Sequence, residues 1–284
     1  MNRKQQQRPP RIAASSYLNT APLIWSFIHG SQREQAELFT DTAPARCAEM
    51  LVNGEVDVAL VPIIEYQRIP DIAIVPDVCV GAREKVRSVC LVTKGEDLRA
   101  VKTVSLDVSS RTSVALTKII FREFLTAEPI YQVSEPNLDE MLIRSDCALL
   151  IGDPALLISD LKAKDKGQRT KDKIHFRKFD LVEIWREFTG FGFVFAMWMT
   201  RDDKKETAKN IDFARARDEG LNHLDEIISN YETEISLDRE DFKKYLSKNI
   251  SYSIDDSMRE GLELYFYLAA KNNLIEKNKE LKFL

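Results

Sequence analysis

The sequence predicts an α/β protein, because apolar strands alternate with helices up to about residue 200 and mostly helices follow. The predicted strands are residues 12–14, 56–61, 72–75, 88–93, 104–107, 148–151 and 193–200. A helix over residues 43–53 ends at Gly54, a residue type that often follows the last helical turn. The later helices are predicted at residues 204–229, 238–246 and 256–272, and their apolar stripes favour packing into the core over a partner surface. This order indicates helices layered on partly parallel sheets.

The first strand is joined to a helix by a run of small and hydrogen-bonding residues. Ser16, Tyr17 and Asn19 lie in this run, and Pro22 suits the first turn of the helix that follows. The N–H groups of such a turn can face an anion. Helix capping also favours Ser, Thr and Asn, so this run alone fits an ordinary cap equally well.

The same kind of junction occurs twice more. After the strand at residues 104–107, a helix opens with five hydroxyl or guanidinium side chains, namely Ser109, Ser110, Arg111, Thr112 and Ser113. So many donors in one first turn predict a pocket for a carboxylate or phosphate. The third junction follows residues 148–151 and reads Gly-Asp-Pro, in which Asp153 taken by itself fits a helix cap better than a catalytic group.

The three junctions belong to a longer set of motifs. They comprise residues 16–23, 56–62, 87–91, 106–113, 150–156 and 180–198, in order and with consistent spacing. Together these motifs resemble the menaquinone-biosynthesis family that includes chorismate dehydratase of the futalosine route. The resemblance covers about residues 11–200 and implies a two-lobed, periplasmic-binding-protein-like (type 2) fold with mixed sheets and a helical C-terminal part. One lobe would comprise residues 11–93 and 195–284, and the other residues 94–194.

The resemblance also implies a function. The chain would be a lyase that removes water from chorismate to give 3-[(1-carboxyvinyl)oxy]benzoate, and formation of the aromatic ring would drive the reaction without a cofactor or metal. Residues 109–113 are the candidates for one substrate carboxylate. The candidates for the remaining polar groups are Ser16, Tyr17, Asn19 and Ser88, with Asp153 at the third junction. Which set binds which substrate group stays open.

No motif offers an obvious base for proton removal. The three histidines lie outside all of them, and Asp153 and Glu65 are the nearest carboxylates, at positions that capping and surface packing explain. Chorismate carries a carboxylate of its own on the enolpyruvyl arm. We therefore hypothesise that this arm takes the proton, while Asn19 and the loop before it hold the arm against the ring.

Composition bounds the class of protein. The 284 residues include 41 basic and 45 acidic residues, and the two charges are interspersed along the chain. This distribution predicts no basic surface for binding nucleic acid or an anionic membrane. The lysine-rich residues 162–178 therefore fit a solvated loop. No apolar segment approaches the roughly 20 residues of a membrane span, and residues 1–10 lack the pattern of a signal peptide.

The cysteines and histidines are too scattered to predict a metal site. They are Cys47, Cys79, Cys90, Cys147, His29, His175 and His223. The cysteines sit in apolar segments without CxxC spacing, which predicts buried free thiols in a reducing cytoplasm.

Two other functions are compatible with the fold. A two-lobed protein can bind a small carboxylate without chemistry, as a solute receptor, because fold alone does not fix function. An exported receptor should then carry a signal peptide or a lipid-attachment cysteine near its start. The second alternative is a later, naphthoate-forming enzyme of the same route, which has a Ser-Pro-Asn-Asp type of first motif that this chain lacks.

Overall fold

The computed structural model describes residues 8–158 and 176–284. Its strands are β1 (Arg11–Ser15), β2 (Glu37–Asp41), β3 (Val58–Pro62), β4 (Ile72–Ala82), β5 (Val89–Thr93), β6 (Thr103–Asp107), β7 (Ile130–Ser134), β8 (Cys147–Ile151), β9 (Arg177–Asp180) and β10 (Phe193–Arg201). Its helices are α1 (Ala21–Ile28), α2 (Pro44–Val52), α3 (Glu65–Arg68), α4 (Arg111–Ile119), α5 (Leu138–Arg144), α6 (Gly152–Leu157), α7 (Leu181–Thr189), α8 (Lys205–Lys209), α9 (Phe213–Asn222), α10 (Leu224–Tyr231), α11 (Arg239–Lys244) and α12 (Asp256–Lys271). The predicted solvated loop at residues 162–178 lies outside the described residues, apart from its last three positions.

The first sheet has the strand order β2-β1-β3-β10-β4. β1 runs parallel to β2 and β3, whereas β10 is antiparallel to both β3 and β4. All five residues of β3 are buried, as expected of a central strand covered on both faces. β4 extends well beyond the predicted residues 72–75, because its second half continues to pair with β10 as far as Ala82.

The second sheet has the strand order β7-β6-β8-β5-β9. β6 is parallel to β7 and β8, and β5 is antiparallel to β8 and β9. We define a lobe as one sheet with the helices packed on it. The sequence-based division placed residues 88–93 in the first lobe, but β5 pairs with β8 from Val89 opposite Ile151 to Thr93 opposite Cys147. The chain therefore changes lobe before β5 and not after it.

The carboxylate of Asp180 fixes the segment by which the chain enters the second lobe. It accepts hydrogen bonds from the backbone N–H groups of Val86 at 3.1 Å and Arg87 at 2.6 Å, immediately before β5. The same carboxylate caps α7 by accepting from the N–H of Val182 at 2.9 Å. One buried side chain thus ties the entry segment to the first turn of α7. The chain returns to the first lobe through residues 190–192, between α7 and β10.

The C-terminal helices pack mainly on the first lobe. The single helix predicted over residues 204–229 is three shorter helices, α8 to α10, because Asp212 caps a new helix by accepting from the N–H of Arg215 and the chain breaks again at His223. Helix α9 lies directly against α1, where a Cβ at Gly220 would stand 1.9 Å from the carbonyl oxygen of Pro22. Only glycine permits that approach. Helix α12 matches its predicted range and contacts both β10 and α4.

The interior of the molecule contains all four cysteines. Their side chains are buried and no disulfide joins them, which confirms the predicted thiols. Burial raises the pKa of the Cys47 and Cys79 thiols to about 12, so these groups stay protonated at neutral pH. Within the described ranges, no helix is both long enough and apolar enough to cross a membrane.

Candidate active site

A cleft between the two lobes gathers residues from all three junctions. Its cavity volume is about 60 Å³, less than the several hundred Å³ usual for a site that encloses a small molecule. The predicted site residues that line it are Tyr17, Asn19, Ser110, Thr112 and Ser113. Its apolar wall includes Leu60, Pro62, Val80, Phe195 and Ala196. A few hydroxyl and amide groups on an apolar wall suit a small organic ligand with polar substituents.

The first junction bends through one short turn, Leu18–Thr20, between β1 and α1. The hydroxyls of Ser15 and Thr20 lie 3.0 Å apart, and Thr20 Oγ1 donates to Asn19 Oδ1 at 3.3 Å. Because its oxygen accepts from Thr20, the Asn19 side chain directs its two N–H donors elsewhere. The junction therefore offers amide donors to a ligand in the cleft.

Two predicted residues lie behind the lining of the cleft. The Ser16 hydroxyl donates to the carbonyl oxygen of Asp41 at 3.4 Å, and the Ser16 carbonyl accepts from the Tyr231 hydroxyl at 2.9 Å. Ser16 therefore links the junction to β2 and α10. Ser88 is fully buried at the start of β5, with its hydroxyl 3.5 Å from the carbonyl oxygen of Val86.

The buried carboxylate of Asp107 organises the second junction. It accepts from the N–H and the hydroxyl of Ser109, at 2.9 and 2.5 Å, and from the N–H of Ile151 at 3.3 Å. Burial raises its pKa, and the Ser109 hydrogen bonds oppose that rise. The Ser109 hydroxyl lies 3.5 Å from that of Tyr17, whose ring stands over Gly152 so closely that a Cβ there would be 2.9 Å from it. Ser109 is thus held by Asp107 behind Tyr17.

The first turn of α4 connects the second lobe to the first. Ser110 caps the helix, its hydroxyl accepting from the N–H of Ser113 at 3.3 Å. The Thr112 hydroxyl accepts from the N–H of Ile64 in the first lobe at 3.3 Å, and the Thr112 carbonyl accepts from the Tyr265 hydroxyl at 3.0 Å. Ser110 and Ser113 remain at the cleft, beside the helix end that favours anions.

Arg111 does not belong to the predicted five-residue anion pocket. Its guanidinium donates to Glu65 Oε2 and to Glu49 Oε1, both at 2.9 Å, and both carboxylates belong to the first lobe. Glu65 is buried and also pairs with Arg68 at 2.9 Å. Arg111 is not among the residues that line the cleft, because two protein carboxylates already satisfy its planar donor groups. Glu65 is likewise held by two arginines and does not face the cleft as a base.

Asp153 also differs from its predicted role as a helix cap. No side chain caps α6, and the carboxylate of Asp153 instead accepts from the N–H of Leu18, at 3.1 Å to Oδ1 and 3.3 Å to Oδ2. The two residues belong to different lobes. Burial raises the pKa of Asp153 to about 6, and the Leu18 N–H opposes that rise. A hydrogen bond thus joins the third junction to the first.

Tyr245 is a residue of the site that the sequence did not single out. It begins the π turn Tyr245–Asn249 after α11 and is fully buried, and the polar side chains that face its hydroxyl are those of Ser88 and Asn19. In the sequence, Tyr245 falls on the apolar stripe of a predicted helix, where an aromatic residue ordinarily packs in the core. Only the folding of the C-terminal segment onto β4 brings it to the junctions.

The two described histidines, His29 and His223, take no part in this site. His29 is exposed, the ring of His223 stacks on Trp25 with 3.8 Å between ring centroids, and His175 lies outside the described residues. Within residues 8–158 and 176–284, no three His, Cys, Asp or Glu side chains gather in a way that could hold a metal ion.

Comparison with known proteins places the chain in a family. The menaquinone biosynthesis family matches residues 10–271, which is most of the chain. This chain belongs to that family. A relative, chorismate dehydratase of Thermus thermophilus, is 30% identical over 265 residues, which covers 91% of this chain and 94% of the relative. The predicted resemblance is therefore confirmed over a longer stretch than residues 11–200.

Solved structures confirm the two-lobed fold of this menaquinone-biosynthesis family member. A protein from Archaeoglobus fulgidus superimposes with a TM-score of 0.71 at 18% identity, covering 95% of this chain and all of the other. The periplasmic aliphatic sulphonate binding protein of Escherichia coli superimposes with a TM-score of 0.62 at 14% identity, covering 98% of this chain and 94% of that protein. At such identities the likeness establishes the periplasmic-binding-protein-like architecture alone.

Proposed function

We propose that this chain removes water from chorismate to give 3-[(1-carboxyvinyl)oxy]benzoate. The observation that carries the proposal is the meeting of the three junctions at one interlobe cleft, in a chain related to a chorismate dehydratase along nearly its whole length. The first motif, Ser-Tyr-Leu-Asn-Thr, favours this reaction over a later naphthoate-forming step of the same route.

The chemistry requires the loss of one proton and one hydroxyl from adjacent ring carbons. The proton leaves the carbon that bears the enolpyruvyl ether, and the ring carboxylate activates that carbon through the conjugated double bond. The C–O bond to the neighbouring hydroxyl then breaks, and the hydroxyl and the proton together make one water molecule. The aromatic ring of the product supplies the driving force, so the balance needs no oxidant or reductant.

The first turn of α4 suits the ring carboxylate. Ser110 and Ser113 place hydroxyls beside N–H groups at the positive end of the helix dipole. Negative charge grows on the ring carboxylate as the proton leaves, and donors fixed there in advance stabilise that charge. We leave Arg111 out of this set, because Glu49 and Glu65 hold its guanidinium.

Asn19 suits the carboxylate of the enolpyruvyl arm. Its Oδ1 accepts from Thr20, so its N–H groups are the donors that it can offer to a ligand in the cleft that it lines. A carboxylate held there against the ring can take the proton itself, and the gain comes from positioning. Asn19 would then act by binding the arm that serves as the base. Tyr17 closes this end of the cleft with its ring.

Ser16, Ser88, Ser109 and Asp153 support this arrangement from behind the lining. Ser16 anchors the first junction to β2, Asp107 holds Ser109, and Asp153 fastens the third junction to Leu18. We also propose that the enzyme acts in the cytoplasm, because four buried thiols without a disulfide suit a reducing compartment.

The decisive experiment mixes the purified protein with chorismate and follows ultraviolet absorbance and product mass. The proposal requires a new aromatic product lighter than chorismate by one water. Asn19→Leu serves as the matched control, since it keeps the side-chain size while removing the amide, and it should abolish turnover in a folded protein. Tight binding of chorismate without any product would instead indicate a solute-binding module and overturn the proposal.

A further inference from the structure

Tyr245 and Tyr252 differ from the other buried tyrosines, because their hydroxyls have no hydrogen-bond partner among the described residues. The hydroxyls of buried Tyr66 and Tyr265 donate to backbone carbonyls at 2.6 and 3.0 Å, and that of half-buried Tyr231 does so at 2.9 Å. Tyr245 is 0% exposed, yet its Oη has no hydrogen-bond partner among the described residues. A buried hydroxyl without a partner destabilises a fold, so one that persists calls for an explanation such as a ligand.

The hydroxyl of Tyr245 lies next to a residue of the cleft. Tyr245 is not itself among the lining residues, but the polar side chains that face its hydroxyl are Ser88 and Asn19, and Asn19 lines the cleft. Burial raises the pKa of Tyr245 far above its ordinary value, with Ser88 and Asn19 opposing the rise, so the phenol stays protonated and acts as a donor. Tyr245 also opens a π turn, a distortion that is frequent at functional sites.

The surroundings of Tyr245 suit a neutral oxygen better than a carboxylate. None of the described lysines or arginines donates to Tyr245 or Ser88. The nearby Arg87 donates to Asp241 at 3.4 Å, and the charge of Asp153 acts on Tyr245 and would repel an anion. The two hydroxyl groups of Tyr245 and Ser88, without a cation, match a substrate hydroxyl, which both donates and accepts.

We infer that the Tyr245 hydroxyl donates a hydrogen bond to the ring hydroxyl of the substrate, the group that leaves as water. This inference rests on the proposed function and assigns a residue to the leaving group. The oxygen gains negative charge as its bond to the ring breaks, so a donor fixed beside it stabilises the transition state more than the bound substrate. Ser88, immediately before β5, faces the same hydroxyl from behind the lining of the cleft.

The test compares Tyr245→Phe with Tyr252→Phe. Tyr252 is a matched control, because it is a buried neighbour in the same cluster whose hydroxyl also lacks a partner among the described residues, but Ser88 and Asn19 do not face it. We expect Tyr245→Phe to lower kcat by about 10- to 100-fold with little change in KM, and Tyr252→Phe to retain kcat within about 2-fold.

Product affinity separates substrate contact from a structural role. The product lacks the ring hydroxyl, so Tyr245→Phe should bind 3-[(1-carboxyvinyl)oxy]benzoate as tightly as the unaltered protein in calorimetry. Unchanged kcat, or a parallel loss of product affinity, would overturn the assignment of Tyr245 to the leaving hydroxyl. An unaltered protein that does not turn over chorismate would instead overturn the proposed function, and this inference with it.

Discussion

The backbone N–H of Leu18 in the first lobe donates to the carboxylate of Asp153 in the second, 3.1 Å from Oδ1. This bond joins the turn that carries Asn19 to the third junction, so the geometry of one side of the cleft depends on the other. It also places a partly buried acid, whose pKa desolvation raises to about 6, at the contact between lobes. Ionisation of that acid therefore affects the stability of the fold.

The stability of the protein should fall between about pH 4 and pH 6 because of Asp153. The folded state keeps the proton on this carboxyl up to about pH 6, whereas the unfolded chain releases it near the ordinary pKa of 3.8. The unfolded state thus binds fewer protons in this window, and the free energy of unfolding falls as pH rises. Asp153→Asn removes the titration and should be more stable than the unaltered protein at pH 7, by roughly 3 kcal/mol at most.

Urea denaturation at a series of pH values measures this effect. The difference between Asp153→Asn and the unaltered protein should shrink toward pH 4. Asp225→Asn is the control of opposite sign, because Lys243 lowers the pKa of Asp225 and its carboxylate stabilises the fold as pH rises. If the stability of Asp153→Asn and of the unaltered protein changed with pH in parallel, the raised pKa of Asp153 would be contradicted.

Replacement of Arg111 should cost stability more than substrate affinity. Arg111→Gln removes the bonds to Glu49 and Glu65 across the lobes, and buried Glu65 keeps only Arg68. We expect a loss of about 1 to 2 kcal/mol in the free energy of unfolding, below that of a fully buried pair because the Arg111 side chain is 32% exposed. KM for chorismate should change by less than about 3-fold, since Arg111 is not among the residues that line the cleft.

The control for Arg111 is Arg46→Gln. Arg46 pairs with Glu49 within α2, where both side chains are about half exposed, and such a pair contributes little. Chemical denaturation and steady-state kinetics on both variants separate the two roles. A large increase in KM for Arg111→Gln at unchanged stability would return Arg111 to the substrate site.

Ligand binding should make the protein more compact. Hydrogen bonds between the lobes at the cleft include those of Leu18 with Asp153 and of Ile64 with Thr112. Such contacts can open in the free protein, and a ligand that touches both lobes favours the closed form. Small-angle scattering should give a smaller radius of gyration with the product than without it. An equal radius in both states would contradict hinge closure.

The fold could be predicted further than the site because different interactions determine them. The strand at residues 148–151 and the helix ended by Gly54, which has a φ of +71°, follow from local patterns. Local patterns do not reveal which lobe contains β5, because its partner β8 lies more than fifty residues away along the chain. Local sequence determines which segments are strands, whereas long-range pairing decides which sheet each one joins.

Charged and aromatic site residues show the same limit. Arg111 and a ligand-binding arginine look alike in sequence, because the partner Glu65 is separated from it by 46 positions. Position 245 fits an apolar helical pattern that any aromatic residue would satisfy, so the pattern does not indicate a role for the Tyr245 hydroxyl. By contrast, the Ser and Thr run at the start of α4 was identifiable, since caps and anion sites both have local signatures.

Asn19→Asp should abolish turnover while preserving the fold. The change keeps the size of the side chain and its acceptor oxygen, so Thr20 can still donate to it. The added negative charge would repel the carboxylate of the enolpyruvyl arm, and kcat/KM should fall by about 100-fold or more. Kinetics and thermal melting check this, with Asn19→Ser as a neutral comparison that should retain more activity. Equal activity of the two variants would mean that no anion approaches Asn19.

The last prediction concerns the base. If the enolpyruvyl carboxylate takes the proton, then no carboxylate of the protein is required for that step. Glu65 is held by Arg68 and Arg111, and Asp153 accepts from Leu18, so neither is positioned to remove a ring proton. Glu65→Gln and Asp153→Asn should therefore retain kcat within about 10-fold, with the loss arising from altered contacts between the lobes.

Measurement of kcat together with product affinity decides the matter for both variants. Asp153 deserves the closer comparison, because its pKa of about 6 is near that of an effective general base. If it were the base, kcat of the unaltered protein would rise with pH through about 6, and Asp153→Asn would lose several orders of magnitude with product affinity intact. That combination would refute the substrate as its own base and identify the base of the enzyme. A modest loss of kcat in Asp153→Asn, with an unchanged pH profile of kcat, would support the enolpyruvyl carboxylate that Asn19 holds as the base.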